Sequence, residues 1–198
     1  IFLTKKALDN FNKLDAFGVL KHLINTDEYT ENSFGLRFQH AALINTDNRL
    51  RALKSVTPGF LIAALLWPRL IDASKEKGNL NLRKFFRSMD RIIREQQVLT
   101  AVPRKFHGYI KDIWSLQLKL ETRLGHQPYK VLNHPRFRAA YDFLLIRKEA
   151  ARDSQGMGEW WTQFQKINRP SKIELLKSLR ESRSGPVEKK FGFLEELS

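Results

Sequence analysis

The sequence predicts an all-α fold, an irregular helical bundle of about 7–9 helices with a polar tail. Three observations point there. Leu occurs 28 times and Val 6 times, a bias toward helix formers and away from β-branched residues. Apolar residues recur at helical spacing in several long windows. No stretch of five or more strictly alternating residues stands between turn signals.

The elements follow in order. Thr57 is an N-cap candidate followed by Pro58 at the first helical position. The helix it opens is apolar on nearly every side over 60–67, so it is expected to be central and buried, with a kink or an end near Pro68. Leu82, Phe85, Phe86, Met89, Ile92 and Ile93 make one apolar stripe. Phe106, Tyr109, Ile110, Ile113, Trp114 and Leu120 make another, and Gly125 stands where a C-cap would. Pro135, capped by Asn133 or His134, opens a helix striped by Phe137, Ala140, Tyr141, Leu144 and Leu145. Ser171 and Glu174 ahead of Leu175 and Leu176 read as a capping box for a last helix, which Ser184, Gly185 and Pro186 end.

Residues 153–158 and 168–171 are linker candidates, and 166–198 reads as a polar tail with one short helix. The pentapeptide LINTD occurs at 23–27 and 43–47 with unlike flanks, which suits two similar helix endings rather than a repeat. Trp67 and Trp114 lie on apolar stripes and are assigned to the core. Trp160 and Trp161 are adjacent, so one is expected to pack and the other to stay partly exposed or cover a seam.

Composition narrows the class. With 42% hydrophobic and 28% charged residues and a mean hydropathy of -0.43, the chain is neither a disordered polycation nor a membrane protein. Its longest apolar run is far short of the roughly 20 residues a bilayer span needs. Residues 1–6 lack the layout of a secretory signal, and an initial Ile points to a processed chain or a piece of a longer one. The absence of Cys fits a reducing compartment and removes disulfides, thiolate zinc sites and cysteine nucleophiles. At 198 residues the chain can bury roughly 70% of its unfolded surface, enough for one sizeable core or a core with a satellite.

Catalytic signatures are missing from the sequence. His22, His40, His107, His126 and His134 show no metal-ligand spacing. There is no nucleophile elbow, no phosphate loop, and no Asp-x-Asp pair to hold two metal ions. Gly156 and Gly158 lack the preceding strand that a phosphate loop needs. No metal, cofactor or catalytic residue is therefore expected in this chain.

The charge is the positive signal. A formal net charge of +14, from 35 Lys and Arg against 21 Asp and Glu, implies a polyanionic partner. Lys84, Arg87, Arg91 and Arg94 share one helix face opposite the Phe85, Met89 and Ile92 stripe. Amphipathic helices carry charge opposite their core face in any case, but four cations with only Asp90 near them repel one another and favour an external anion. A second concentration lies over 104–152, where Arg104, Lys105, Lys111, Lys119, Arg123, Lys130, Arg136 and Arg147 join the candidate set for binding a phosphate backbone, which the resemblance below makes an RNA-binding set. Arg136 and Arg147 have no local partner, Glu121 stands within reach of Lys119 and Arg123, and Arg138 is matched by Asp142 at i+4.

Five strings make the chain recognisable: VTPGFLIAALLWP at 56–68, AVPRKF at 101–106, DIWSLQ at 112–117, LNHPRFRAAYDF at 132–143 and EWWTQFQ at 159–165. Together they resemble the bacterial poly(A) polymerase family of class II nucleotidyltransferases, over about 43–165. The resemblance covers the helical body and C-terminal region. The head, with its Gly-Ser motif and metal-binding Asp pair, has no counterpart here. It implies a parent enzyme that adds AMP from ATP to RNA 3′ ends with Mg²⁺, located in the cytoplasm. This chain would be its inactive, RNA-gripping part and would brace the missing head and neck. The resemblance divides it into a neck-like helical end over 1–30, a body and RNA-binding domain over 31–165, and the tail. Two alternatives remain at this stage: a structural or interaction module docking an acidic partner, and the body of a CCA-adding enzyme.

Overall fold

The computed structural model describes residues 1–25, 33–151 and 156–181. Over these the chain forms ten helices and one two-stranded hairpin. The helices are α1 (Ala7–Ala16), α2 (Leu20–Leu23), α3 (Phe34–Arg51), α4 (Pro58–Ser74), α5 (Leu82–Leu99), α6 (Lys105–Glu121), α7 (Gln127–Leu132), α8 (Phe137–Ala151), α9 (Met157–Lys166) and α10 (Arg169–Glu181). The all-α expectation is borne out. The count exceeds it because α2 and α7 are too short, at 4 and 6 residues, to show periodicity.

The hairpin pairs β1 (Lys75–Glu76) with β2 (Asn79–Leu80) between α4 and α5. Lys77 and Gly78 turn it with φ of 50° and 79°, the left-handed pair that a tight hairpin needs. Two-residue strands leave no alternation to read. Asn81 follows, its backbone N–H reaching Ser74 O at 2.9 Å and its side chain capping α5 at Lys84 N, 3.0 Å away.

Helix α4 is the axis of the larger core and packs against α3, α5 and α6. Its residues from Ala63 to Pro68 are all buried, and Trp67 and Trp114 lie fully inside, as their stripes implied. The helix does not end at Pro68 but continues to Ser74. Proline removes the donor that the Ala64 carbonyl would receive and loosens that turn. On either side of it, Trp114 Nε1 donates to Ala63 O at 3.0 Å and Gln39 Nε2 donates to Leu65 O at 2.8 Å. These two donors tie α4 to α6 and α3.

The first helix belongs to this core through Ala7 and Phe11. It has no side-chain cap of its own. Asp47 of α3 supplies one, accepting from Ala7 N at 2.6 Å and from Leu8 N at 3.4 Å. The second LINTD copy is thus not a helix ending but mid-helix in α3, where its Asp caps a neighbour. Part of the first copy, 26–27, lies outside the described residues.

A second core gathers the C-terminal half of α6 with α7, α8, α9 and partly buried Leu175, Leu176 and Leu179 of α10. Both tryptophans of α9 are buried here, so of the two expectations for the second ring, partial exposure or covering a seam, partial exposure is not met. The reason is packing on two sides. Trp161 turns inward and donates to Leu120 O at 3.0 Å, while Trp160 stacks on Phe164 at 4.8 Å under Arg123. The leucines of α10 pack against the same cluster.

Three boundaries differ from the periodicity reading. Helix α6 stops at Glu121, so Gly125, with φ 57°, sits in the following turn instead of the C-cap. Helix α8 begins at Phe137 because Asn133 closes α7 and 134–136 form a turn, with Phe137 N bonded to His134 O. Helix α10 begins at Arg169, capped by Asn168, whose side chain accepts from Ser171 N at 3.1 Å. The 168–171 linker and the Ser171 capping box are therefore replaced by a helix start one turn earlier. The 153–155 portion of the other linker and the 184–186 stop lie outside the described residues, while Gly156 caps α9 in the left-handed conformation.

Candidate nucleic-acid interface

Helix α5 owes its orientation to a sharp division of residue types. Phe85, Ser88, Met89, Ile92, Ile93 and Gln96 are buried. At about 100° per residue, Arg87 and Arg94 point almost directly away from that face, with Arg83 beside them. All three are exposed, and among the described residues none of the three has an acidic partner. Lys84 and Arg91 lean to one flank, where acids meet them. Lys84 Nζ is 3.0 Å from Glu76 and Arg91 Nε is 4.0 Å from Glu95. Glu95 also bonds Arg69 at 3.0 Å, so its charge is shared. The Lys84 bond, aided by Asn81, holds the Glu76 carboxyl below its ordinary range. The predicted row of four is thus two uncompensated cations and two paired ones.

The opposite flank of α5 meets α6. Lys111 Nζ lies 3.0 Å from Asp90, and Ser115 Oγ lies 4.0 Å from Met89 Sδ. Arg104, Gly108, Lys111, Ser115 and Lys119 fall within about 80° on the α6 cylinder, so Arg104 and Lys119 extend this flank at its two ends. A Cβ placed on Gly108 would meet nothing within 4 Å, which leaves the strip open there. Arg87, Arg94, Arg104 and Lys119 are exposed cations along a strip spanning α5 and α6, with Arg83 at its edge.

The remaining candidates lie elsewhere. Lys105 covers the Phe106 ring at 5.2 Å, and Lys130 is exposed on α7. Arg123 is buried against Trp160. Arg147 has no exposed surface and is ion-paired to Glu121 between α8 and α6. Its expected lack of a partner is corrected, since that partner comes from a helix 26 residues away. Glu121 is committed to this pair, away from Lys119.

Arg136 borders a separate cavity. Its guanidinium lies 4.9 Å from the Tyr109 ring centroid. Arg138 Nε is 3.4 Å from Asp142, the i+4 pair the sequence implied, and Arg49 Nη1 reaches the same carboxylate at 3.7 Å. Burial raises the Asp142 carboxyl above its ordinary range, and the two arginines only partly offset this. Sequence reasoning missed Arg83 and Arg49. The i+4 spacing of Arg83 and Arg87 carried a signal. Arg49 reaches its neighbours only through tertiary packing.

Among the described residues no group of three His, Asp or Glu side chains could hold a metal ion. No described helix is long and apolar enough to cross a membrane.

An all-α basic module with a strip of exposed cations along two neighbouring helices presents a surface suited to a polyanion. The family model for the arginine-rich C-terminus of polymerase A matches residues 77–191, and the chain belongs to that family. Among its curated relatives, poly(A) polymerase I of Escherichia coli O157:H7 is 34% identical over 154 residues, covering 75% of this chain and 33% of that protein. The Salmonella typhi poly(A) polymerase I is 33% identical over 162 residues, covering 78% and 35%. That of Haemophilus influenzae is 31% identical over 169 residues, covering 80% and 36%. The chain spans about a third of the length of these relatives. The resemblance seen in the sequence strings is borne out.

Proposed function

We propose that this chain is the RNA-holding part of a bacterial poly(A) polymerase. The polymerase would add AMP from ATP to RNA 3′ ends, using Mg²⁺ held in its head, in the cytoplasm. This region would grip the RNA backbone and brace the head and neck. The observation that carries the reading is the α5–α6 strip, with Arg87 and Arg94 projecting away from the core and lacking acidic partners among the described residues. A rigid row of cations on a packed scaffold tracks phosphates without reading bases. Arg104 and Lys119 extend the row, Lys111 contributes less because Asp90 faces it, and Arg147 contributes through the fold alone.

The test is a titration of single-stranded RNA against the protein and its Arg87→Glu/Arg94→Glu variant. Weaker binding with unchanged thermal melting supports the strip. Unchanged affinity removes it as the interface.

A further inference from the structure

A cavity of about 280 Å³ opens on the side of α6 away from α5. Its walls come from the end of α3, the start of α4, Tyr109 of α6 and the start of α8. Three arginines converge on it: Arg49, Arg136 and Arg138. Among the described residues the one acid lining it is Asp142, which leaves these walls with an excess of two positive charges.

The geometry of that acid is informative. Its carboxylate stands between two guanidiniums, at 3.7 Å from Arg49 and 3.4 Å from Arg138. Both distances exceed the roughly 2.7–2.9 Å of a strong charge-assisted bond. One carboxylate therefore stands between two guanidiniums, meeting each through a different oxygen and neither at the distance of a strong bond, while Arg138 also lies over the Tyr141 ring at 5.7 Å. Arg49 is further positioned by its bond to Ser55 O at 3.2 Å. Arg136 lies over the Tyr109 ring at 4.9 Å and is exposed, and a guanidinium plane is a group on which a base can stack. Phe60 and Val56 add an apolar wall, and Asn45 adds an amide able to bond a sugar or a base edge.

An excess of two positive charges matches a phosphate monoester, which carries nearly two negative charges at neutral pH. A planar cationic face beside an apolar wall matches a nucleobase. The cavity is at the small end of ligand sites, suited to one nucleotide rather than a strand. We infer that this cavity binds a single nucleoside monophosphate unit. Its phosphate lies against Arg49 and Arg138, and its base lies against Arg136 and the apolar wall. The unit comes either from a free mononucleotide or from the 5′-phosphorylated end of an RNA chain. The site is separate from the α5–α6 strip and does not depend on it.

The experiment titrates the protein with adenosine 5′-monophosphate, with adenosine, and with a short RNA carrying or lacking a 5′-phosphate. The expected result is saturable binding of the monophosphate, at least about tenfold tighter than adenosine. A preference for the 5′-phosphorylated RNA without binding of the free monophosphate assigns the site to chain ends, and the reverse assigns it to free nucleotide. Arg138→Gln alters a side chain that is 75% exposed, so the fold is retained, and it should weaken the phosphate-dependent binding about tenfold. Arg87→Glu/Arg94→Glu should leave the monophosphate affinity unchanged, which separates failure of this site from failure of the strip. No preference for phosphate in either probe, or an Arg138→Gln variant that binds as the parent does, overturns the inference.

Discussion

Gly59 sits in the first turn of α4, where a Cβ would lie 3.0 Å from Tyr109 Cδ1 and 3.1 Å from Phe106 Cδ1. Those rings are held between helices, so Gly59→Ala should cost about 1–3 kcal/mol by overpacking and lower the melting temperature. Gly158 looks tighter, at 2.9 Å from Leu145 Cδ2, but that atom is the tip of a partly exposed side chain that can swing away. Gly158→Ala should therefore be neutral or slightly stabilising. Equal losses at both positions would contradict this distinction. Arg147 and Glu121 give a second case. Arg147→Met strands a carboxylate in the interior and should cost about 3–5 kcal/mol, while pairing it with Glu121→Leu should recover most of the loss. His40 packs edge-on to Phe11 at 5.6 Å, and burial lowers its pKa against a smaller opposing pull from Asp15. Since the folded state disfavours the charged ring, its contribution is present above the ordinary value of 6.5 and is lost as pH falls below it. The melting temperature should drop as pH falls below 6.5, and His40→Gln should flatten that drop.

Among the elements, α5 carries the functional reading. Reversing Arg87 and Arg94 and reversing Lys84 and Arg91 change the net charge equally. Only the first pair lacks acidic partners among the described residues, so it should weaken RNA binding more, and equal losses would point to bulk charge alone. The face of α5 was legible because its apolar residues step cleanly at helical spacing. The pairing of individual cations was not, because Glu76 lies in a hairpin with no sequence signature, and Glu95 reads as an ordinary surface residue. The same limit hid Asp47 as the cap of α1 and Glu121 as the partner of Arg147. Each is a contact between helices distant in sequence. Periodicity says which face of a helix turns inward but not which neighbour it meets. Trp160 was misjudged for the same reason, since nothing local reveals that α10 packs against its cluster.

For the whole molecule, two cores share α6 and α8, the larger built around α4 and the smaller around α9. Net charge and hydropathy gave the class, and the five strings gave the family, before any contact was known. The cavity beside α8 was beyond sequence reasoning because Arg49, Tyr109 and Arg138 come together only in the folded chain. The central claim is that the strip neutralises RNA phosphates. It is tested most directly by measuring affinity for single-stranded RNA between about 50 and 200 mM salt. With Arg87, Arg94, Arg104 and Lys119 each displacing a counterion, log affinity should fall against log salt with a slope of about −3, roughly a fiftyfold loss over that range. In Arg87→Glu/Arg94→Glu the slope should be about half as steep. An affinity independent of salt, or a slope that the double variant leaves unchanged, would contradict the account.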